Sequence, residues 1–143
     1  MPVEQRKAER RLVLLVEDNV DAQDIYSASL IHAGFDVVKA PCIADAARAA
    51  TARKPSVVVL DCRLPDGDGL ELARAWRSEP FMSDVPIIVL TAFSSRQDVE
   101  AALLAGADAF LVKPIPGHVL ASQIERVLMG TRPSQKLRKP DTW

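Results

Sequence analysis

The chain has 143 residues, 48% of them apolar and 26% charged, with a net charge of −1. That length suits one domain with a single core, and the composition is that of an ordinary globular protein rather than a disordered or fibrous one. No apolar run approaches the ~20 residues of a membrane span, and the charged start MPVEQRKAERR lacks the apolar stretch of a secretory signal, so a cytoplasmic protein outside the membrane is expected.

The charge is unevenly spread. Residues 1–11 carry net +2 and residues 131–143 net +3, which leaves −6 for residues 12–130. An acidic body offers no clustered Lys and Arg to neutralise phosphates, so direct nucleic-acid binding by it is not expected. Cys42 and Cys62 are far apart and flanked by apolar neighbours, which reads as two buried free thiols.

In chain order, apolar runs rich in β-branched residues fall at residues 11–16 (RLVLLV), 35–40 (FDVVKA), 56–60 (SVVVL), 86–92 (PIIVLTA) and 109–112 (AFLV). Each is followed by a segment of helical composition, at residues 22–33, 43–53, 69–78, 96–105 and 117–129. Gly34 and Gly106 stand where a left-handed residue ends a helix before the next strand. The third and fifth runs are continuously apolar, as strands of a parallel sheet are when helices cover both faces. Strict βα alternation therefore predicts a three-layer α/β/α fold around a five-stranded parallel sheet. GTRPSQKLRKPDTW, from residue 130 onward, shows no periodicity and reads as a basic tail or linker.

In an open parallel sheet the ligand crevice lies at the carboxyl ends of the strands. Glu17 and Asp18 follow the first strand, Asp61 the third, Thr91 the fourth and Lys113 the fifth. Carboxylates clustered at an apolar edge repel one another unless they are protonated or share a cation. Mg²⁺ is the economical partner, because it takes one or two carboxylates together with water and phosphate oxygens. Asp18 and Asp61 would ligate it directly, Glu17 through water, and the backbone carbonyl of Arg63 would complete the set. Lys113 suits a phosphoryl oxygen and Thr91 a second one. Neutralising the phosphoryl charge is what lets a carboxylate attack it, which makes Asp61 the candidate nucleophile.

With these residues in place the sequence resembles the receiver domains of bacterial two-component response regulators. The matches are LLVEDN with Glu17 and Asp18, VVVLDCRLPDGDGLEL with Asp61, PIIVLTA with Thr91, and GADAFLVKPI with Lys113 and Pro114. The resemblance runs in unbroken order over residues 11–129, between a basic N-terminal tail (1–10) and a basic C-terminal tail or linker (130–143). It implies a flavodoxin-like fold of strand order 2-1-3-4-5, and Mg²⁺-dependent phosphotransfer to Asp61 from a sensor histidine kinase or histidine phosphotransfer protein. The domain would catalyse its own phosphorylation and dephosphorylation without being a turnover enzyme. It further implies a cis Lys113–Pro114 bond and a switch through Thr91 and Phe110 that alters the face of the fourth helix, fifth strand and fifth helix, toward a second copy or a downstream protein. Phe110 lacks the hydroxyl of a tyrosine, so burial must distinguish its rotamers. Short flanks are expected to leave no room for an output domain, which would fit a stand-alone regulator or relay carrier, or a fragment of a larger regulator.

Two large residues, Arg63 and Phe93, stand two positions after Asp61 and Thr91, where they are expected to impede water and lengthen the phosphorylated lifetime. Asp66 and Asp68 read as turn chemistry in PDGDG, with Asp68 capping the next helix and Gly67 and Gly69 supplying permissive backbone. His32 and His118 read as surface or packing residues and Trp76 as a partly buried one; Trp143 has no assigned role. A haloacid-dehalogenase-type phosphatase also uses an Asp at a strand end, but it wants a second acid where Arg63 stands. A receiver-like binding platform without phosphorylation is the other alternative.

Overall fold

The computed structural model describes residues 10–130. Apart from Arg10 and Gly130, the two expected basic tails, with Trp143, lie outside the described residues. The elements are β1 (Leu12–Val16), α1 (Val20–His32), β2 (Asp36–Ala40), α2 (Ile43–Ala52), β3 (Val57–Leu60), α3 (Gly69–Arg77), β4 (Ile87–Thr91), α4 (Arg96–Leu104), β5 (Ala109–Val112) and α5 (Gly117–Gly130). Between β3 and α3, Arg63–Leu64 and Gly67–Asp68 form a two-residue antiparallel ladder that the periodicity did not show. Among the described residues no helix is long and apolar enough to cross a membrane.

The five long strands are all parallel, in the order β2-β1-β3-β4-β5. Because side chains alternate across a strand, Val13 and Leu15 of β1 join α1 and α5 through Leu30, Leu120 and Ile124. Leu14 and Val16 point the other way, into a core closed by Ala46, Ala50, Leu70, Ala73, Trp76 and Ala102 of α2, α3 and α4. The apolar run of β3 is buried on both faces, as expected. The run of β5 is not: it is the sheet's edge, its first three residues are half-buried and Val112 is 44% exposed. Trp76 is fully buried rather than partly so, whereas Cys42 and Cys62 are free and only half-buried.

Two of the four αβ turns, those before β2 and β5, are closed by glycine in the left-handed region. Gly34 (φ 102°) and Gly106 (φ 95°) donate to Ile31 and Leu103, and the residues after them donate to Leu30 and Ala102. These paired bonds satisfy carbonyls that the helix ends leave open. At the other end of the helices, Asp68 caps α3 by accepting from Leu70 N at 2.9 Å, as expected.

Asp66 does not serve its own turn. Its two carboxylate oxygens accept from the amides of Ile43 (2.8 Å) and Ala44 (3.0 Å) and so cap α2, whose N-cap residue Cys42 offers no side-chain bond to the helix. The loop after β3 is thereby strapped to the start of α2. These amide bonds hold the Asp66 carboxyl below its ordinary 3.8. A group depressed in the folded state contributes stability above its unfolded pKa and loses it as pH falls through the folded value. Asp66→Ala is therefore expected to lower the melting temperature by a few degrees at neutral pH, with the difference closing as pH falls through the lowered pKa of the Asp66 carboxyl. Thermal unfolding of both proteins from pH 7 downward checks this; a gap unchanged in acid would mean the ionised cap contributes nothing.

Candidate functional site

The carboxyl ends of β1, β3, β4 and β5 bring together most of the residues singled out in the sequence. β1 and β3 are adjacent, and Asp61 N continues their pairing by donating to Val16 O at 3.1 Å, which sets Asp61 beside Glu17 and Asp18. β4 and β5 are likewise adjacent, and Lys113 N donates to Thr91 O at 2.9 Å. Lys113 is joined to Pro114 by a cis peptide bond, as expected.

Glu17, Asp61 and Thr91 are buried while Asp18 is exposed. Lys113 Nζ reaches in from β5 and donates to Asp61 Oδ2 at 3.0 Å and to Glu17 Oε1. Burial alone would lower the Lys113 pKa, but the hydrogen bonds to Glu17 and Asp61 outweigh it and hold the value raised. The other oxygen of Glu17 accepts from Asn19 N at 3.0 Å, so its carboxylate is fixed at both ends. Glu17, Asp18 and Asp61 each place one carboxylate oxygen within 4.8 Å of the others. Three hard oxygen donors so close, with one ammonium between two of them, leave an excess of negative charge. The set fits a small divalent cation of the Mg²⁺ kind, which bonds few protein oxygens and retains water.

The Thr91 hydroxyl oxygen accepts from Phe93 N at 3.2 Å. Cys62, next to the candidate nucleophile, has its thiol pKa pushed up to about 11, first by burial and then by the charges of Asp61 and Asp68. It is a protonated, unreactive thiol at neutral pH. Phe110 is half-buried and packs on the core face formed with α2, α3 and α4. His32 and His118 are exposed and line one shallow groove between α1 and α5, away from the acids.

Arg63 and Phe93, named separately from the sequence, touch. The Arg63 guanidinium carbon lies 3.6 Å from the centre of the Phe93 ring. The backbone of Arg63 is held in the short ladder opposite Asp68, and its amide faces Asp61 Oδ1 at 3.4 Å. Adjacency of β3 and β4 is what brings these two loops side by side.

Gly69 has a role that its residue type alone did not show. Its backbone lies outside the left-handed region that would require glycine, and space is the constraint instead. A Cβ at this position would collide with the Asp61 carbonyl oxygen and come within 3.2 Å of Leu60 Cδ1. The Gly69 amide also donates to Cys62 O at 2.7 Å, which fixes the start of α3 against the residue that follows Asp61.

Fold and site together define a doubly wound parallel α/β domain with a lysine-bridged acidic pocket at the carboxyl edge of its sheet. The chain belongs to the response regulator receiver domain family, whose model matches residues 13–125. It is 42% identical over 115 residues to the transcriptional regulatory protein PrrA of Mycobacterium tuberculosis, covering 80% of this chain and 47% of that one. It is 31% identical over 123 residues to the phosphate regulon transcriptional regulatory protein PhoB of Pseudomonas aeruginosa, covering 86% and 54%. The chain thus spans about half the length of the curated relatives it matches. Among solved structures it resembles the receiver domain of a sensor histidine kinase from Pseudomonas aeruginosa, with a TM-score of 0.76, 34% identity and coverage of 85% and 99%. That structure carries a magnesium ion coordinated in its active-site cleft. The chain is accordingly a receiver domain of two-component signalling, a class of signalling proteins and not of turnover enzymes.

Proposed function

We propose that Asp61 is the phosphoacceptor of a histidine-to-aspartate relay, and that its phosphorylation alters the face made by α4, β5 and α5. The observation that carries this reading is the Lys113 ammonium bridging Asp61 Oδ2 and Glu17. Asp18, Asp61 and the Arg63 carbonyl, with Glu17 through water, would hold Mg²⁺, whose charge when bound offsets that of the acids and of an incoming phosphoryl group.

The donor is a phosphohistidine on a sensor histidine kinase or histidine phosphotransfer protein. A carboxylate oxygen of Asp61 attacks phosphorus, the bond from phosphorus to the imidazole nitrogen breaks, and its electron pair returns to the imidazole. The acyl phosphate so formed keeps all three phosphoryl oxygens. Lys113, freed from its hydrogen bond to Asp61 Oδ2, donates to one of them, and the Thr91 hydroxyl leaves the Phe93 amide to donate to another. Because Thr91 pairs with Val112 and Val89 with Phe110 across β4 and β5, movement at Thr91 passes to the half-buried Phe110. A second copy of the chain or a downstream protein would read the altered face. Acidic residues 12–130 act without touching nucleic acid in this reading, and the protein works in the cytoplasm as a unit spanning residues 11–129 with basic flanks.

Incubation with acetyl phosphate and Mg²⁺, followed by mass measurement, tests the proposal. The expected result is a gain of one phosphoryl group that is absent in Asp61→Asn and without Mg²⁺. No gain from acetyl phosphate or from any phosphohistidine donor would favour a binding platform that is never phosphorylated.

A further inference from the structure

The loop after β3 and the helix α4 face each other across a cleft of about 570 Å³, with Cys62, Arg63, Leu64 and Asp68 on one side and Asp98 and Ala101 on the other. Arg63 spans it. Its guanidinium sits on the Phe93 ring in the loop after β4, and its charge also acts on Asp98 in the first turn of α4. Asp98 is built into that turn: its carboxylate accepts from Ser95 N (2.9 Å) and Ser95 Oγ (2.7 Å), and its own amide donates to Ser95 Oγ (3.1 Å). One exposed side chain, rooted two residues from Asp61, thus touches the loop that leads into α4 and shares a cleft with its first turn.

We propose that Arg63 is a phosphoryl-responsive latch: seated on Phe93 and facing Asp98, it ties the phosphoacceptor loop to the first turn of α4, and a phosphoryl group on Asp61 draws it off that seat. The inference rests on Asp61 being the phosphoacceptor. Three features make the side chain the moving part. Its backbone is pinned opposite Asp68 in the ladder. The side chain is exposed and free of the core. The contact that seats it, a cation over an exposed ring, and the longer-range attraction of Asp98 across the cleft are individually weak.

A phosphoryl group brings roughly −1.5 to −2 charges and oxygens that a planar guanidinium engages two at a time. Lys113, which turns to one phosphoryl oxygen, still balances the charge of Glu17, so Arg63 supplies an additional cation. Differential affinity for the phosphorylated state is what shifts a two-state element. Seated, Arg63 holds the start of α4 closed; drawn to the phosphoryl group, it releases α4 and shields the acyl phosphate from water. Phe93 then serves the resting state alone, which separates this device from a cover that works by bulk.

The test uses the whole chain with Mg²⁺ and acetyl phosphate, with phosphoryl uptake confirmed by mass before two further readouts. These are amide hydrogen exchange at Asp98 and Val99, and the half-life of the acyl phosphate. In the wild type, phosphorylation is expected to speed exchange at these amides by about threefold or more. Arg63→Ala should exchange fast in both states and lose its phosphoryl group several-fold faster. Phe93→Ala should exchange fast before phosphorylation yet keep the wild-type half-life, since its guanidinium remains. Arg63→Gln, close in length but uncharged, repeats the first result if Arg63→Ala folds poorly. A wild-type rise in exchange in the Arg63 variants, or an equal loss of lifetime in Arg63→Ala and Phe93→Ala, would overturn the latch. No phosphoryl uptake by the wild type would instead remove the phosphoacceptor reading, and the latch with it.

Discussion

Arg77→Ala is expected to destabilise the domain by about 3–5 kcal/mol, the cost of removing one partner from a buried ion pair. Arg77 closes α3, and its guanidinium donates to Asp108 Oδ2 (2.8 Å), to Gly106 O from two nitrogens (3.0 and 2.7 Å) and to Val85 O (2.7 Å). The Asp108 side chain is only 4% exposed, and it also accepts from Ile87 N at 2.9 Å. Removing the guanidinium strands a carboxylate against the sheet and unsatisfies two carbonyls together. The segments it joins are the end of α3, the approach to β4 and the turn before β5, so the loss falls on the half of the sheet that carries Thr91 and Lys113. Urea denaturation of wild type, Arg77→Ala and Arg77→Met/Asp108→Leu checks this. The double variant removes both charges and is expected to recover part of the loss, because no buried charge remains unpaired. A loss below 1 kcal/mol in Arg77→Ala would place the pair among ordinary surface ion pairs.

Arg77 also shows which features the sequence makes legible. β1, β3 and β4 are buried on both faces, so each announces itself as an unbroken apolar run. Gly34 and Gly106 mark their turns because only glycine takes those φ values cheaply. Arg77 carries no such mark. It is an arginine in the last turn of an amphipathic helix, and its partners Gly106 and Asp108 are neighbours only once α4 has returned the chain to the sheet edge. Asp66 is hidden for the same reason, since the helix it caps begins 23 residues earlier in the chain. β5 misleads in the opposite direction: its run resembles that of β3, but edge position is a property of strand order and leaves no trace in four apolar letters.

The candidate site was more legible than its surroundings. Glu17, Asp18, Asp61 and Lys113 each follow an apolar strand, so knowing that the strands are parallel is enough to bring them to one edge. Contacts between loops are different in kind. Arg63 and Phe93 stand at equal offsets from Asp61 and Thr91, yet their stacking depends on β3 lying beside β4 and on rotamers that spacing does not specify.

Gly69→Ala is expected to slow phosphorylation from acetyl phosphate by about 100-fold, the scale of a displacement of 1 Å at a reacting group. The added methyl cannot be accommodated by a flexible side chain. It meets the Asp61 carbonyl oxygen, with the carbonyl carbon at 3.2 Å, and backbone on that side belongs to the strand end that aims the Asp61 carboxylate. Either α3 retreats, stretching the 2.7 Å bond from Gly69 N to Cys62 O, or Asp61 rotates away from Lys113. Overpacking of this kind costs about 1–3 kcal/mol, less than the roughly 5–15 kcal/mol of an ordinary domain, so the variant is expected to stay folded and its kinetics can be read. Gly130→Ala is the control, since a Cβ there meets nothing within 4 Å among the described residues. Mass-resolved time courses of the three proteins, with circular dichroism to confirm folding, separate the outcomes. A folded Gly69→Ala that phosphorylates within twofold of wild type would show that the strand end absorbs the methyl without moving Asp61. A slowed Gly69→Ala beside an unchanged Gly130→Ala would place the requirement for glycine in the aim of the carboxylate, not in the flexibility of the turn.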